Sequence, residues 1–167
     1  IAADINAVKE LTGVEATAVT KAEIHSLSAV GTVKFDLYGD KPRTGSEAGY
    51  KYVISAEIVS TADLNPLITA INNQAADTGI SATVGSTAAS IILTHSTGED
   101  IEIRALTIAG VTTGHFQMRA LDKYGNNIGA VDDTLHRSVA TGLDDNHTVG
   151  AGSGTAIAVG QMTLTSI

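Results

Sequence analysis

Apolar residues near the start of the chain recur at Ile5, Val8 and Leu11 with Lys9 and Glu10 between them, which predicts an amphipathic helix over residues 3–11. Thr12 and Gly13 close it, because glycine reaches the left-handed conformation that ends a helix. Residues 14–19 then alternate β-branched and small side chains as a strand does, and residues 24–27 form a short apolar stretch. After Gly31, Val33, Phe35 and Leu37 alternate with Thr32, Lys34 and Asp36, the pattern of a half-buried strand. Residues 39–49 hold three glycines, a proline and four charges, an exposed loop at the tip of a hairpin whose partner strand is 50–59. Ser60 or Thr61 offers an N-cap, Asp63 suits a first turn, Pro66 is early enough to be tolerated, and Leu64, Leu67, Ile68 and Ile71 make one apolar helical face. Thr78 and Gly79 end this second helix, residues 80–84 are its strand, and 90–94 and 101–103 are two more strands joined through S-T-G-E-D. From about residue 106 the helical pattern stops. Residues 111–121 and 128–131 read as strands around the turn D-K-Y-G-N-N-I-G, 141–154 as a mobile loop with four glycines, and 156–167 as a final strand.

Two of these stretches say nearly the same thing. I-N-A-V-K-E-L-T-G-V-E-A-T begins at Ile5, and I-N-N-Q-A-A-D-T-G-I-S-A-T begins at Ile71, 66 residues later. The shared frame is I-N-x5-T-G-[VI]-x-A-T, one supersecondary unit used twice. The expected fold is therefore α+β: mainly antiparallel β with two short amphipathic helices from a duplicated helix-Gly-strand unit. Residues 1–105 form the repeat region. Residues 106–167 form a β-rich region with a Gly-rich loop, either packed on the first or separate from it.

At 167 residues the chain can bury a core without covalent staples, and with no cysteine it has none. Thiol catalysis and thiolate metal sites go with it. The net charge of -8 argues against a nucleic-acid or anionic-membrane partner. Aromatics at 4% disfavour the aromatic-walled pockets that hold small molecules. No run of about 20 apolar residues is present to span a membrane as a helix, and no signal-peptide pattern opens the chain. Ile1 in place of an initiator Met, inside a helical pattern, predicts a fragment of a longer protein.

Candidate chemistry is sparse. His25, His95, His115, His136 and His147 stand singly, without H-E-x-x-H or an i, i+4 pair. His147 beside Asp144 and Asp145 is the most metal-like cluster, yet D-D-N-H in a Gly-rich loop fits a solvated turn better. The stretch from Asp122 lacks the alternating ligands and distal Glu of a Ca²⁺ loop and fits a hairpin turn. Gly150, Gly152 and Gly154 miss G-x-G-x-x-G because Thr155 follows. Glu99 with Asp100, and Asp132 with Asp133, are sequence neighbours that point apart on a strand and cannot share acid-base work. No serine sits in G-x-S-x-G, and Asn146 to Thr148 match a glycosylation sequon by pattern alone. No catalytic, cofactor-binding or metal residue is nominated, and no enzyme activity is expected.

The frame I-N-x5-T-G-[VI]-x-A-T, followed in the second copy by I-I-L-T-H-S-T-G-E-D-I-E-I, resembles the flagellin IN motif. That motif occurs in the variable outer portions of bacterial flagellins and hook-associated proteins, and its name refers to the pair that falls at Ile71 and Asn72. Its typical closing strand, L-T-L-T-S-x-x-G, is similar to residues 92–98, and V-K-F-D-L-Y-G-D is similar to a strand of flagellin outer domains. The likeness covers roughly residues 3–105. The first copy lacks the strand that precedes the helix in such motifs, and the long heptad-patterned helices that polymerise flagellins are absent. The resemblance implies a non-catalytic, surface-exposed outer domain of a flagellar filament subunit, secreted and extracellular. It also implies contacts with other flagellin subunits through those missing terminal helices and, through exposed loops, with host receptors, antibodies or surfaces. The alternatives it leaves open are the outer domain of a hook-associated or filament-cap protein, or an adhesin-like binding module. The fragment itself is expected to be monomeric.

Overall fold

The computed structural model describes residues 2–39, 51–128, 133–136 and 155–166. The first repeat opens with α1 (Ala2–Asn6) and α2 (Lys9–Thr12), one expected helix split by a turn, and runs into the long strand β1 (Val14–His25). Next come β2 (Gly31–Tyr38) and β3 (Tyr52–Ile58), then α3 (Asn65–Asn72), α4 (Ala75–Thr78) and β4 (Ile80–Val84) of the second repeat. The remaining strands are β5 (Ile91–His95), β6 (Ile101–Ile108), β7 (His115–Leu121), β8 (Asp133–His136), β9 (Thr155–Ala158) and β10 (Gln161–Ser166). The expected strand at 128–131 and loops at 39–49 and 141–154 fall largely or wholly outside the described residues. The α+β class with antiparallel sheets is what the chain adopts.

Among the described residues all strand pairings are antiparallel and form two sheets. One has the order β4-β5-β1-β7-β8, with β10 also paired to β1, and the other has the order β3-β2-β6-β9. β1 joins the first sheet together: its N-terminal half pairs with β10 and its C-terminal half with β5 and β7. The division expected at 105/106 falls inside β6, and later strands pair with earlier ones, β9 with β6 and β10 with β1. A single expected strand over 156–167 is two strands, because Val159 and Gly160 carry the chain from one sheet to the other.

One apolar cluster lies between the sheets and under α3. Val33, Phe35 and Leu37 of β2 enter it by strict alternation, as do Ile54 and Ile58 of β3, Ile91 and Leu93 of β5, and Phe116 and Met118 of β7. Phe35 and Phe116 meet edge to face across the sheets, ring centroids 5.8 Å apart. β6 obeys the same rule with one phase break. Ile101 and Ile103 point inward, then Leu106 and Ile108, and the change from odd to even is absorbed by a β-bulge. Its extra residue, Ala105, sits at φ 55°, in the left-handed region where glycine is the usual occupant.

Two sequence expectations are corrected here. The second helix starts at Asn65, not after Ser60 or Thr61, with Pro66 in its first turn. Ser60 instead accepts the Ala62 N–H at 3.2 Å, and Asp63 accepts the Asn65 N–H at 3.0 Å, so both side chains build turns ahead of the helix. The strand expected from 111 begins at His115, because residues 109–114 turn between β6 and β7.

Ala105→Gly is expected to stabilise the protein by about 0.5–1 kcal/mol, the left-handed cost of alanine less the chain entropy of glycine. Urea unfolding of the two proteins measures it, and an unchanged or lower midpoint would contradict a strained Ala105.

Candidate functional site

The repeated Ile-Asn unit is where polar side chains are most deliberately placed. In the second copy the Asn72 amide makes two hydrogen bonds to one residue ten positions on: its Nδ2 donates to the Ala82 carbonyl at 2.9 Å and its Oδ1 accepts the Ala82 N–H at 2.8 Å. Asn6 does the same to Ala16, at 2.8 and 2.7 Å. A residue in an antiparallel strand offers its N–H and C=O on the same side, and a neighbouring strand fills both. Here one side-chain amide takes the neighbour's place. Only asparagine carries donor and acceptor side by side at this reach: aspartate cannot donate, and glutamine is one carbon longer.

The rest of the frame has equally specific tasks. Gly13 and Gly79 end α2 and α4 in the left-handed conformation, at φ 63° and 71°. The preceding threonine bonds both ways: Thr78 donates its hydroxyl to the Gln74 carbonyl at 2.9 Å and accepts the Ile80 N–H at 3.1 Å. Thr12 repeats this with Val8 and Val14 at 3.0 and 3.3 Å. Ala16 and Ala82 are both buried, small side chains beside the clamp that leave room for the helix to lie close to the strand. β4 is the outermost strand of its sheet, so Asn72 covers backbone groups that would otherwise be open to another strand.

Each repeat also has a closing strand of the same kind. Ala82 faces Leu93 of β5, and Ala16 faces Leu164 of β10. Residues 162–166, M-T-L-T-S, therefore do for the first copy what 91–95, I-I-L-T-H, do for the second. The closing strand of the first copy comes from the opposite end of the chain, which is why sequence order hides it.

Side chains with chemistry to offer are engaged elsewhere. Glu23, on β1, lies directly opposite Arg119 on β7 and binds its guanidinium through Nε at 2.9 Å and Nη2. Glu102 pairs with Arg104 two residues along β6, and the Arg104 guanidinium stacks over the Tyr38 ring at 5.3 Å. His95 is buried with Nδ1 3.1 Å from the Thr97 hydroxyl, and His25 lies 2.9 Å from the Ser26 hydroxyl. His25 and His95 lie on β1 and β5, while His115 opens β7. His147, Asp144, Asp145, Asp132, Asn146 and the glycines 150, 152 and 154 lie outside the described residues, as does the side chain of His136. Among the described residues no three His, Asp or Glu side chains gather as a metal site. No helix among them is long and apolar enough to cross a membrane. Asp100 accepts the Gly160 N–H at 3.1 Å, while Glu99 lends its carbonyl to the Thr20 hydroxyl at 2.6 Å. Asp100 thus ties this turn to the β9–β10 connection, and the Glu99 backbone ties it to β1.

The D-K-Y-G-N-N segment is a turn built on one carboxylate. Asp122 Oδ1 accepts the Tyr124 and Asn126 N–H groups at 2.8 Å each, and Oδ2 accepts from Asn126 Nδ2 at 2.9 Å. Both oxygens are thus in use within the turn. The side-chain bond from Asn126, followed by the backbone bonds, holds this carboxyl below its ordinary value of 3.8.

Compared with known proteins, the chain matches no family model and no curated protein.

Removing the amide clamp with Asn72→Ala or Asn6→Ala is expected to cost about 1–2 kcal/mol each, and the corresponding Asp variants, which still accept but cannot donate, part of that. Chemical denaturation measures it; two silent alanine variants would show the clamps to be decoration. The Asp122 turn has a pH dependence of fixed sign. A carboxyl depressed in the folded state stabilises above its unfolded value and loses that contribution as pH falls through its folded value. The Tyr124 and Asn126 amide signals are expected to shift in that acid range and, in Asp122→Asn, to stay constant; a wild-type turn with no acid transition would contradict it.

Proposed function

We propose that this chain is a surface-exposed outer domain of a bacterial flagellin, a structural component of the flagellar filament that carries out no catalysis. The observation that carries the reading is the repeated Ile-Asn unit. The Asn clamp, the Thr-Gly turn and the buried Ala of its frame serve the scaffold in both copies, and both copies end on a strand of the L-T type. A sequence signature made of scaffold residues fits a module used for its shape.

Two further features support it. β1 and β10, the first and last strands among the described residues, are neighbours with Val14 opposite Ser166, so one module is closed by strands from far apart in the sequence. The net charge of -8 favours a solvated exterior that resists self-association. In this reading the subunit is secreted and lies outside the cell. Subunit-to-subunit contacts are made by terminal helices beyond this sequence, and the exposed loops meet antibodies, receptors or surfaces.

Antibodies raised against residues 1–167 and visualised by immunogold microscopy are expected to decorate flagellar filaments along their whole length. Label confined to the filament tip would assign the chain to a cap protein instead, and unlabelled filaments would overturn the flagellar reading.

A further inference from the structure

The closing strands of the two repeats are held in different ways. β5 lies between β4 and β1, and its Ile91, Leu93 and His95 are buried. β10 pairs with β1 alone among the described residues, and none of its side chains is buried; Met162 and Leu164 are 46% and 56% exposed. β9, immediately before it, is seated by contrast, with Ala156 and Ala158 in the core. Lifting β10 away therefore removes little apolar packing, and the ladder to β1 is what holds it.

That ladder can be assigned residue by residue. Ala16 has both backbone groups bonded to Asn6, so it faces Leu164 without exchanging bonds, and the bonds to β10 fall to Glu15, Thr17 and Val19 opposite Thr165, Thr163 and Gln161. Two side-chain contacts add to them: Gln161 Nε2 donates to the Leu121 carbonyl at 3.0 Å, and Lys123 Nζ lies 3.5 Å from the Thr163 hydroxyl. The crossover ahead of the strand is fixed more firmly. Gly160 donates its N–H to Asp100 and packs so close to the Gly98 carbonyl that a Cβ there would lie 1.8 Å from it. The hinge of β10 is therefore at Gly160, with the clamp, β1 and β9 independent of it.

The strand also lacks the features that keep edges apart. Residues 161–166 contain no charge, no proline and no glycine, and Glu15 is the one charge on residues 14–19 facing them. Although the chain as a whole carries -8, a second β10 meets almost none of that charge on this edge.

We propose that β10 is an exchangeable strand. It leaves β1 while both sheets stay folded, and the edge it uncovers at Glu15, Thr17 and Val19 takes β10 of a second copy of this chain in the same register. Reciprocal exchange keeps every ladder bond and both side-chain contacts, so the closed single chain and the exchanged pair differ chiefly by the entropy of association. Concentration decides between them. The inference is independent of the flagellar reading, since it follows from how β10 is held.

Because the chain has no cysteine, a disulfide placed across β1 and β10 reports directly on exchange. Thr17 and Thr163 lie directly opposite each other, within the span a disulfide bridges. Thr17→Cys and Thr163→Cys are made singly, in separate chains, mixed and oxidised. The mixture is expected to give a heterodimer joined between positions 17 and 163, at least about tenfold above a collision control of Thr17→Cys with Thr83→Cys on β4. The double variant, oxidised when dilute, is expected to close within one chain and to show that both substitutions are tolerated. Amide exchange gives a second readout. The N–H groups of Gln161, Thr163, Thr165, Glu15, Thr17 and Val19 are expected to exchange at least about tenfold faster than those of residues 22–24, with Ala16 kept slow by Asn6. A mixture that gives no heterodimer above the control would overturn the proposal, as would β10 amides as slow as residues 22–24. Light scattering that finds a dimer of the double variant after each chain has closed on itself would show association without exchange and also overturn it. A heterodimer from a chain whose antibodies leave filaments unlabelled would uphold the exchange and reject only the flagellar role.

Discussion

The fold depends on how a short helix is fastened to the strand that follows it. A helix of five or eight residues is too short to be stable alone and needs an external anchor. In each repeat that anchor is an asparagine amide bonded to both backbone groups of an alanine ten residues later. The clamp sets the distance, the Thr-Gly turn sets the direction of return, and the small alanine lets the helix lie close. With the helix fixed, its isoleucine falls on the core side of the strand, and in the second copy the β2–β3 hairpin closes over it.

β1 carries the consequence through the molecule. Its first half belongs to one clamped unit and its second half is the centre of the sheet that holds the other. The two repeats are therefore parts of one body. The ion pair of buried Glu23 with Arg119 ties β1 to β7, while Phe35 and Phe116 join the sheets through the core.

Some of this was legible in the sequence, for physical reasons. The helices, the Thr-Gly turns and β2 follow from local periodicity and glycine chemistry, and both copies of the frame stand out because its Asn, Thr and Gly have tasks that few residue types perform. Other features depend on partners far away in the chain. Nothing near Ala16 announces that Leu164 lies opposite it, since the pairing spans almost the whole sequence. β6 shows as a fragment at 101–103 because the bulge at Ala105 breaks the alternation, and the left-handed residue there is an alanine where a glycine would have been a signal. The helix start is misplaced because Ser60 and Asp63 have the right chemistry for a cap but spend it on turns of their own. The Asn residues are plain in the sequence, but their bonding is not, because an amide ten residues from its partner leaves no periodic trace.

Amide hydrogen exchange at Ala16 and Ala82 tests the central claim most directly. If the asparagine amides replace a neighbouring strand, both N–H groups exchange as slowly as those of residues 22–24 inside β1. Exchange at the rate of unprotected edge amides, with the rest of the sheet intact, would contradict the account.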